Sequence, residues 1–109
     1  WVGLKFFNVY GPNEYHKGEM RSVVCKAYPR AAAGEPACLF RSHRPDYADG
    51  GQKRDFIHVR DCVDVMLWVR EQSELSGLFN VGTGRAQSWL ELITALFIFD
   101  HHPNSAARL

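Results

Sequence analysis

An α/β architecture follows from three features of this 109-residue sequence. Strand-like and helix-like segments alternate along it, the apolar runs are short and bounded by Gly, Pro or Asn, and no segment repeats.

The opening "WVGLKFFNVYGP" is rich in Val, Leu and Phe up to Asn8. It predicts a buried strand over residues 2–7 that runs into a loop, because Gly11-Pro12 is turn chemistry and Pro12 cannot donate to a central ladder. Met20, Val23, Val24 and Ala27 recur at helical spacing, so residues 19–33 read as a helix that Pro29 kinks or ends, with Gly34 closing the loop after it. Residues 37–40, "ACLF", form a short strand candidate, and residues 41–52, "RSHRPDYADGGQ", a long polar loop. Residues 54–59, "RDFIHV", alternate polar and apolar and predict one strand with Phe56 and Ile57 on opposite faces.

Asp61 then reads as the N-cap of a helix that runs to about residue 72, with Val63, Met66, Leu67 and Arg70 on its apolar stripe. Residues 78–82, "LFNVG", make another buried strand and lead into Gly82-Thr83-Gly84. That turn sits between a strand and a helix, the context of a phosphate cradle, but position 87 is Gln and the third glycine is missing. A tight backbone turn that needs Gly is the better reading. Ser88 and Glu91 have capping-box spacing and open a last helix through Trp89, Leu92, Ile93 and Leu96. Several of these strands are expected to lack partners within the chain.

Hydrophobic residues make up 46% of the sequence and charged residues 23%, and the net charge is +1. That balance suits a globular protein and argues against nucleic-acid or membrane partners. No apolar run reaches the length of a membrane span. Cys25, Cys38 and Cys62 form no C-x-x-C pair and read as reduced, packed thiols of a cytoplasmic protein. The five histidines show no metal-ligand spacing, so no metal site is expected. The apolar start at Trp1 suggests a chain cut from the middle of a longer protein.

Two groups stand out chemically. Lys17 follows the first strand at its carboxyl end, where α/β sheets bind ligands, and is a candidate for proton transfer. Arg41, His43, Arg44, Lys53 and Arg54 gather around the long loop, partly neutralised by Asp46, Asp49 and Asp55. They form either a solvated surface or an anion site in which Arg54 clamps a diphosphate.

Together "FFNVYGP", "HKGEM", "KRDFIHVRDCVDV" and "GLFNVGTGRAQSW" resemble the carboxyl-terminal half of an extended short-chain dehydrogenase/reductase of the NAD-dependent epimerase/dehydratase family. The narrower His-Lys-Gly-x-Met step and Lys-Arg-Asp-Phe segment are similar to the branch that acts on an ADP-linked heptose. The resemblance covers residues 1–96, while residues 97–109 form an atypical tail that suggests truncation or a shifted reading frame. It implies an incomplete α/β fold, with Rossmann-like sheet strands plus an α/β substrate domain. It also implies NADP as cofactor, a nucleotide-sugar substrate and a homo-oligomer at full length. By the same resemblance Val9 and Lys17 contact the cofactor, and Lys17 is also the catalytic acid/base. Asn8, Glu19, Lys26, Phe40, Arg41, Ser42, His43 and Arg54 contact substrate. The family's glycine-rich phosphate loop and Tyr-x-x-x-Lys pair are not in this sequence, so the chain by itself is expected to be inactive and poorly folded. Other readings are a nucleotide-sugar C4 epimerase, a dehydratase, or a non-catalytic binding module.

Overall fold

The computed structural model describes residues 1–39 and 41–99. Among these, the elements run β1 (Val2–Phe6), β2 (Asn8–Tyr10), a 3-10 segment (Tyr15–Met20), α1 (Val23–Ala32), β3 (Lys53–Arg54), β4 (Phe56–His58), α2 (Val59–Arg70), β5 (Gly77–Val81), β6 (Gln87–Ser88) and α3 (Trp89–Phe99).

The expected opening strand divides at Phe7 because its two parts pair with different neighbours. β1 lies parallel to β5, from Val2 opposite Gly77 to Phe6 opposite Val81. β2 lies parallel to β4, with Asn8 opposite Phe56 and Tyr10 opposite His58. The switch is bridged by two backbone bonds, Phe7 N–H to the Val81 carbonyl and Asn8 N–H to the Asp55 carbonyl, each 3.0 Å. β3 and β6 are antiparallel. Each described strand therefore has one partner, where several were expected to have none. β1 is half-buried to exposed along its length, not buried as its composition suggested.

Residues 54–59 form two strands and a helix start where one strand was expected. Asp55 interrupts the ladder by turning its carboxylate to the loop after β5, and Val59 already belongs to α2. The cap of α2 is His58, whose Nδ1 accepts from Arg60 N–H at 3.1 Å, and Asp61 instead lies in the first turn, where its charge suits the helix dipole. α2 packs with Cys62 and Val65 inward, while Val63, Met66 and Leu67, expected on the core stripe, are exposed. Of the three thiols, Cys62 is buried, Cys25 half-buried and Cys38 exposed, so the expectation of packing fails for Cys38.

α1 starts four residues later than its periodicity suggested, because Ser22 caps it by accepting Cys25 N–H at 3.1 Å. Pro29 sits inside the helix, which ends one turn later. The end is a Schellman arrangement: Gly34, with φ 69°, donates to the Ala31 carbonyl and Glu35 N–H to the Arg30 carbonyl. Residues 37–39 take no strand conformation. Ala37 is buried with Ala31, Ile93 and Phe97, and Leu39 packs against the same cluster. A second cluster, Ile57, Cys62 and Val81, lies under the two parallel pairs. The capping box at α3 forms as expected, Glu91 N–H to Ser88 Oγ and Ser88 N–H to Glu91 Oε2. The long loop docks on that helix start: its Gly50 and Gln52 carbonyls accept from Leu90 and Trp89 N–H.

Candidate functional site

β2 delivers Asn8 and Val9 to a cavity of about 210 Å³ that is also lined by Arg21, Ser22, Val23, Phe56 and Trp89. Val23 and Trp89 are shared with an adjoining cavity of about 330 Å³, which Lys26, Arg30, Cys38 and Leu39 also line. The Trp89 ring is fixed edge-on against Phe56 at 5.1 Å between centroids. The two cavities thus share a wall of Val23 and Trp89: Asn8 and Val9 of β2 line one, and two cations one helical turn apart on α1, Lys26 and Arg30, line the other. Both are lined mostly by apolar surface with a few polar groups, the usual make-up of a small-molecule site.

Of the residues expected to bind substrate, Asn8 lines one of these adjoining cavities and Lys26 the other, and Glu19 pairs with Lys26 at 3.1 Å. Arg41, Ser42 and His43 lie in the long loop, which is tied by Ser42 N–H to Asp49 Oδ1 at 2.7 Å and by Ser42 Oγ to the Arg44 carbonyl. Arg44 is spent on Asp46 at 2.6 Å. Phe40 lies outside the described residues. Arg54 is exposed in β3 and donates to the Lys53 carbonyl at 2.7 Å. Lys17 is exposed on the 3-10 segment, one residue before the bend at Gly18.

Two carboxylates organise these segments: Glu14, which sequence reasoning passed over, and Asp55, which it counted only among the acids around the basic loop. Glu14 is buried, and accepts from Gly11 N–H at 3.3 Å, Ser22 N–H at 2.8 Å and Ser22 Oγ at 2.7 Å. Its own carbonyl accepts Lys17 N–H at 3.0 Å. Burial pushes the Glu14 carboxyl up, but the Ser22 and Gly11 hydrogen bonds and the charge of Lys17 outweigh it and hold the group below its ordinary value. The available signal was a lone Glu between a Gly-Pro turn and a Ser helix cap.

Asp55, expected to help neutralise the basic loop, instead accepts from Thr83 N–H and Oγ1 and from Gly84 N–H at 2.7–2.9 Å. Partial burial raises its carboxyl, but the Thr83 and Gly84 hydrogen bonds outweigh it and hold the group below the ordinary Asp value. Gly82 is required here, since a Cβ would stand 2.6 Å from Asp55 Oδ2 and collide with the Phe7 ring. The Gly82-Thr83-Gly84 turn is thus a backbone turn whose amide groups face a carboxylate. It does not fit the phosphates of a dinucleotide.

Comparison with known proteins completes the picture. The model of the NAD dependent epimerase/dehydratase family matches residues 1–82. The chain belongs to this family. Over 96 residues it is 63% identical to ADP-L-glycero-D-manno-heptose-6-epimerase of Nitratidesulfovibrio vulgaris (strain DP4), which covers 88% of this chain and 30% of that protein. The crystal structure of the Helicobacter pylori enzyme of the same name superposes with a TM-score of 0.77 at 32% identity, over 92% of this chain and 30% of that one. UDP-glucose 4-epimerase from Thermotoga maritima, solved with UDP-glucose, gives 0.74 at 29% identity, over 94% and 30%. The α/β elements of this chain are therefore those of the Rossmann-like extended dehydrogenase/reductase fold, and the chain spans about 30% of the length of the relatives it matches.

Proposed function

We propose that this chain is the substrate-facing segment, residues 1–96 with a short tail, of a longer cytoplasmic epimerase. The enzyme inverts C6″ of ADP-D-glycero-D-manno-heptose to the L-glycero epimer, a precursor of the lipopolysaccharide core. The 63% identity to a heptose 6-epimerase supports this reading most strongly. The adjoining cavities agree with it, offering Asn8, the Trp89 ring and Lys26 to a sugar nucleotide.

NADP, when bound, supplies oxidation and re-reduction of one carbinol carbon. In this reading Val9 lines the cofactor and Asn8 holds the sugar. Lys17 contacts the cofactor and moves the proton of the C6″ hydroxyl, its main chain held by Glu14. Glu19 and Lys26 contact the substrate, the residues 40–43 line its nucleotide end, and Arg54 holds the diphosphate. The phosphate cradle for the cofactor comes from outside this segment, because the glycine turn at residue 83 is occupied by Asp55. The full-length enzyme is a homo-oligomer.

The test offers the full-length enzyme ADP-D-glycero-D-manno-heptose and UDP-glucose separately and follows epimerisation by NMR. Turnover of the heptose substrate is expected. Turnover of UDP-glucose alone assigns the chain to a C4 epimerase instead.

A further inference from the structure

Asp55 stands between two of the groups assigned to substrate. It follows Arg54 directly, and its carbonyl accepts Asn8 N–H at 3.0 Å. Its carboxylate reaches 28 residues along the chain: Oδ1 accepts Thr83 N–H at 2.9 Å and Thr83 Oγ1 at 2.7 Å, and Oδ2 accepts Gly84 N–H at 2.9 Å. One residue thus fastens the start of β2, the β3–β4 junction and the turn after β5.

The direction of the carboxylate matters as much as its bonds. A carboxylate next to Lys53 and Arg54 could pair with either cation and cancel the charge that an anion would meet. Here its lone pairs are taken by the turn, while Arg54 donates to the Lys53 carbonyl. β3 is then held by the Asp55 clasp on one side and by its ladder to Gln87 and Ser88 on the other.

We propose that Asp55 is a positioning residue of the sugar-nucleotide site, setting Arg54 and Asn8 at a fixed separation and keeping Arg54 available to the substrate diphosphate without itself touching substrate. The proposal rests on the assignment of Arg54 to the diphosphate. Its energetic logic is preorganisation: side chains already held in place lose less freedom when the ligand arrives.

The test is a double-mutant cycle in the full-length enzyme, comparing Asp55→Asn, Arg54→Ala and the pair, with KM and kcat for the ADP-heptose substrate. Asp55→Asn keeps the side-chain volume but loses acceptor strength at the turn. It is expected to raise KM about fivefold or more while kcat stays within about twofold. The pair is expected to be no worse than Arg54→Ala alone. Additive effects, or an unchanged KM in Asp55→Asn, overturn the proposal while leaving the Arg54 assignment standing. An unchanged KM in Arg54→Ala alone overturns that assignment and the proposal together. Should Asp55→Asn fail to fold, Thr83→Val and Thr83→Ser carry the same test from the other side of the clasp. The Val variant is expected to raise KM and the Ser variant to match the parent, and equal KM values in the two overturn the proposal.

Discussion

At the scale of single residues, charge is placed by hydrogen bonds more than by proximity. Glu14 and Asp55 both gather N–H and O–H donors and both sit below their ordinary pKa. A carboxyl lowered in the folded state contributes stability above its unfolded value and loses it as pH falls through the folded one. For Glu14 the loss begins near its ordinary 4.5 and grows toward lower pH. Glu14→Gln in the full-length enzyme is expected to cost about 1–3 kcal/mol at neutral pH, since three donors lose a charged acceptor, and to flatten the acid side of the stability curve. Chemical denaturation at several pH values measures both. For catalysis, Lys17→Met is expected to lower kcat more than it raises KM, and steady-state kinetics with an unchanged kcat would make Lys17 a positioning or surface residue. Arg54→Ala is expected to weaken substrate binding by about 1.5–3 kcal/mol, as read by titration calorimetry. Lys17 and Arg54 were legible as candidates from type and place in the chain. The structural roles of Glu14 and Asp55 were not, because they lie in partners 8 and 28 residues away.

At the scale of elements, what was legible is what is local. The Ser88–Glu91 box could be read because its parts are three residues apart, and the glycine turn at residue 83 because only a turn explains Gly82 and Gly84 without a third glycine. Misplaced boundaries have long-range causes. β3 and β4 separate because Asp55 answers to Thr83, and α1 starts late because Ser22 both caps it and donates to Glu14. The dual role makes Ser22→Ala informative: it removes the cap and one Glu14 bond, and is expected to cost about 1–3 kcal/mol in denaturation of the full-length enzyme. Ser22→Thr should recover most of the loss. In α2 the helical period was legible but its orientation was not. Val63, Met66 and Leu67 follow an apolar stripe, yet the described core lies on the side of Cys62 and Val65.

At the scale of the molecule, the chain leaves much of its apolar surface uncovered. Among the described residues Trp1, Phe7, Trp68 and Leu78 are each at least half exposed, and the strands form three separate pairs. A chain of this kind is expected to give no cooperative melt that rises with NADPH, and differential scanning fluorimetry measures this. Its exposed apolar residues and its match to about 30% of its relatives' length accord with the proposal that it works as a segment of a longer protein. The most direct measurement is a segment exchange. Residues 1–96 replace the matching stretch of the Nitratidesulfovibrio vulgaris heptose epimerase, and inversion of ADP-D-glycero-D-manno-heptose at C6″ is followed by NMR. The exchanged enzyme is expected to fold and to interconvert the two epimers, and to lose most of that activity on Lys17→Met. A folded exchange that binds NADP yet leaves the heptose substrate unchanged would contradict the assignment of this segment to the heptose site.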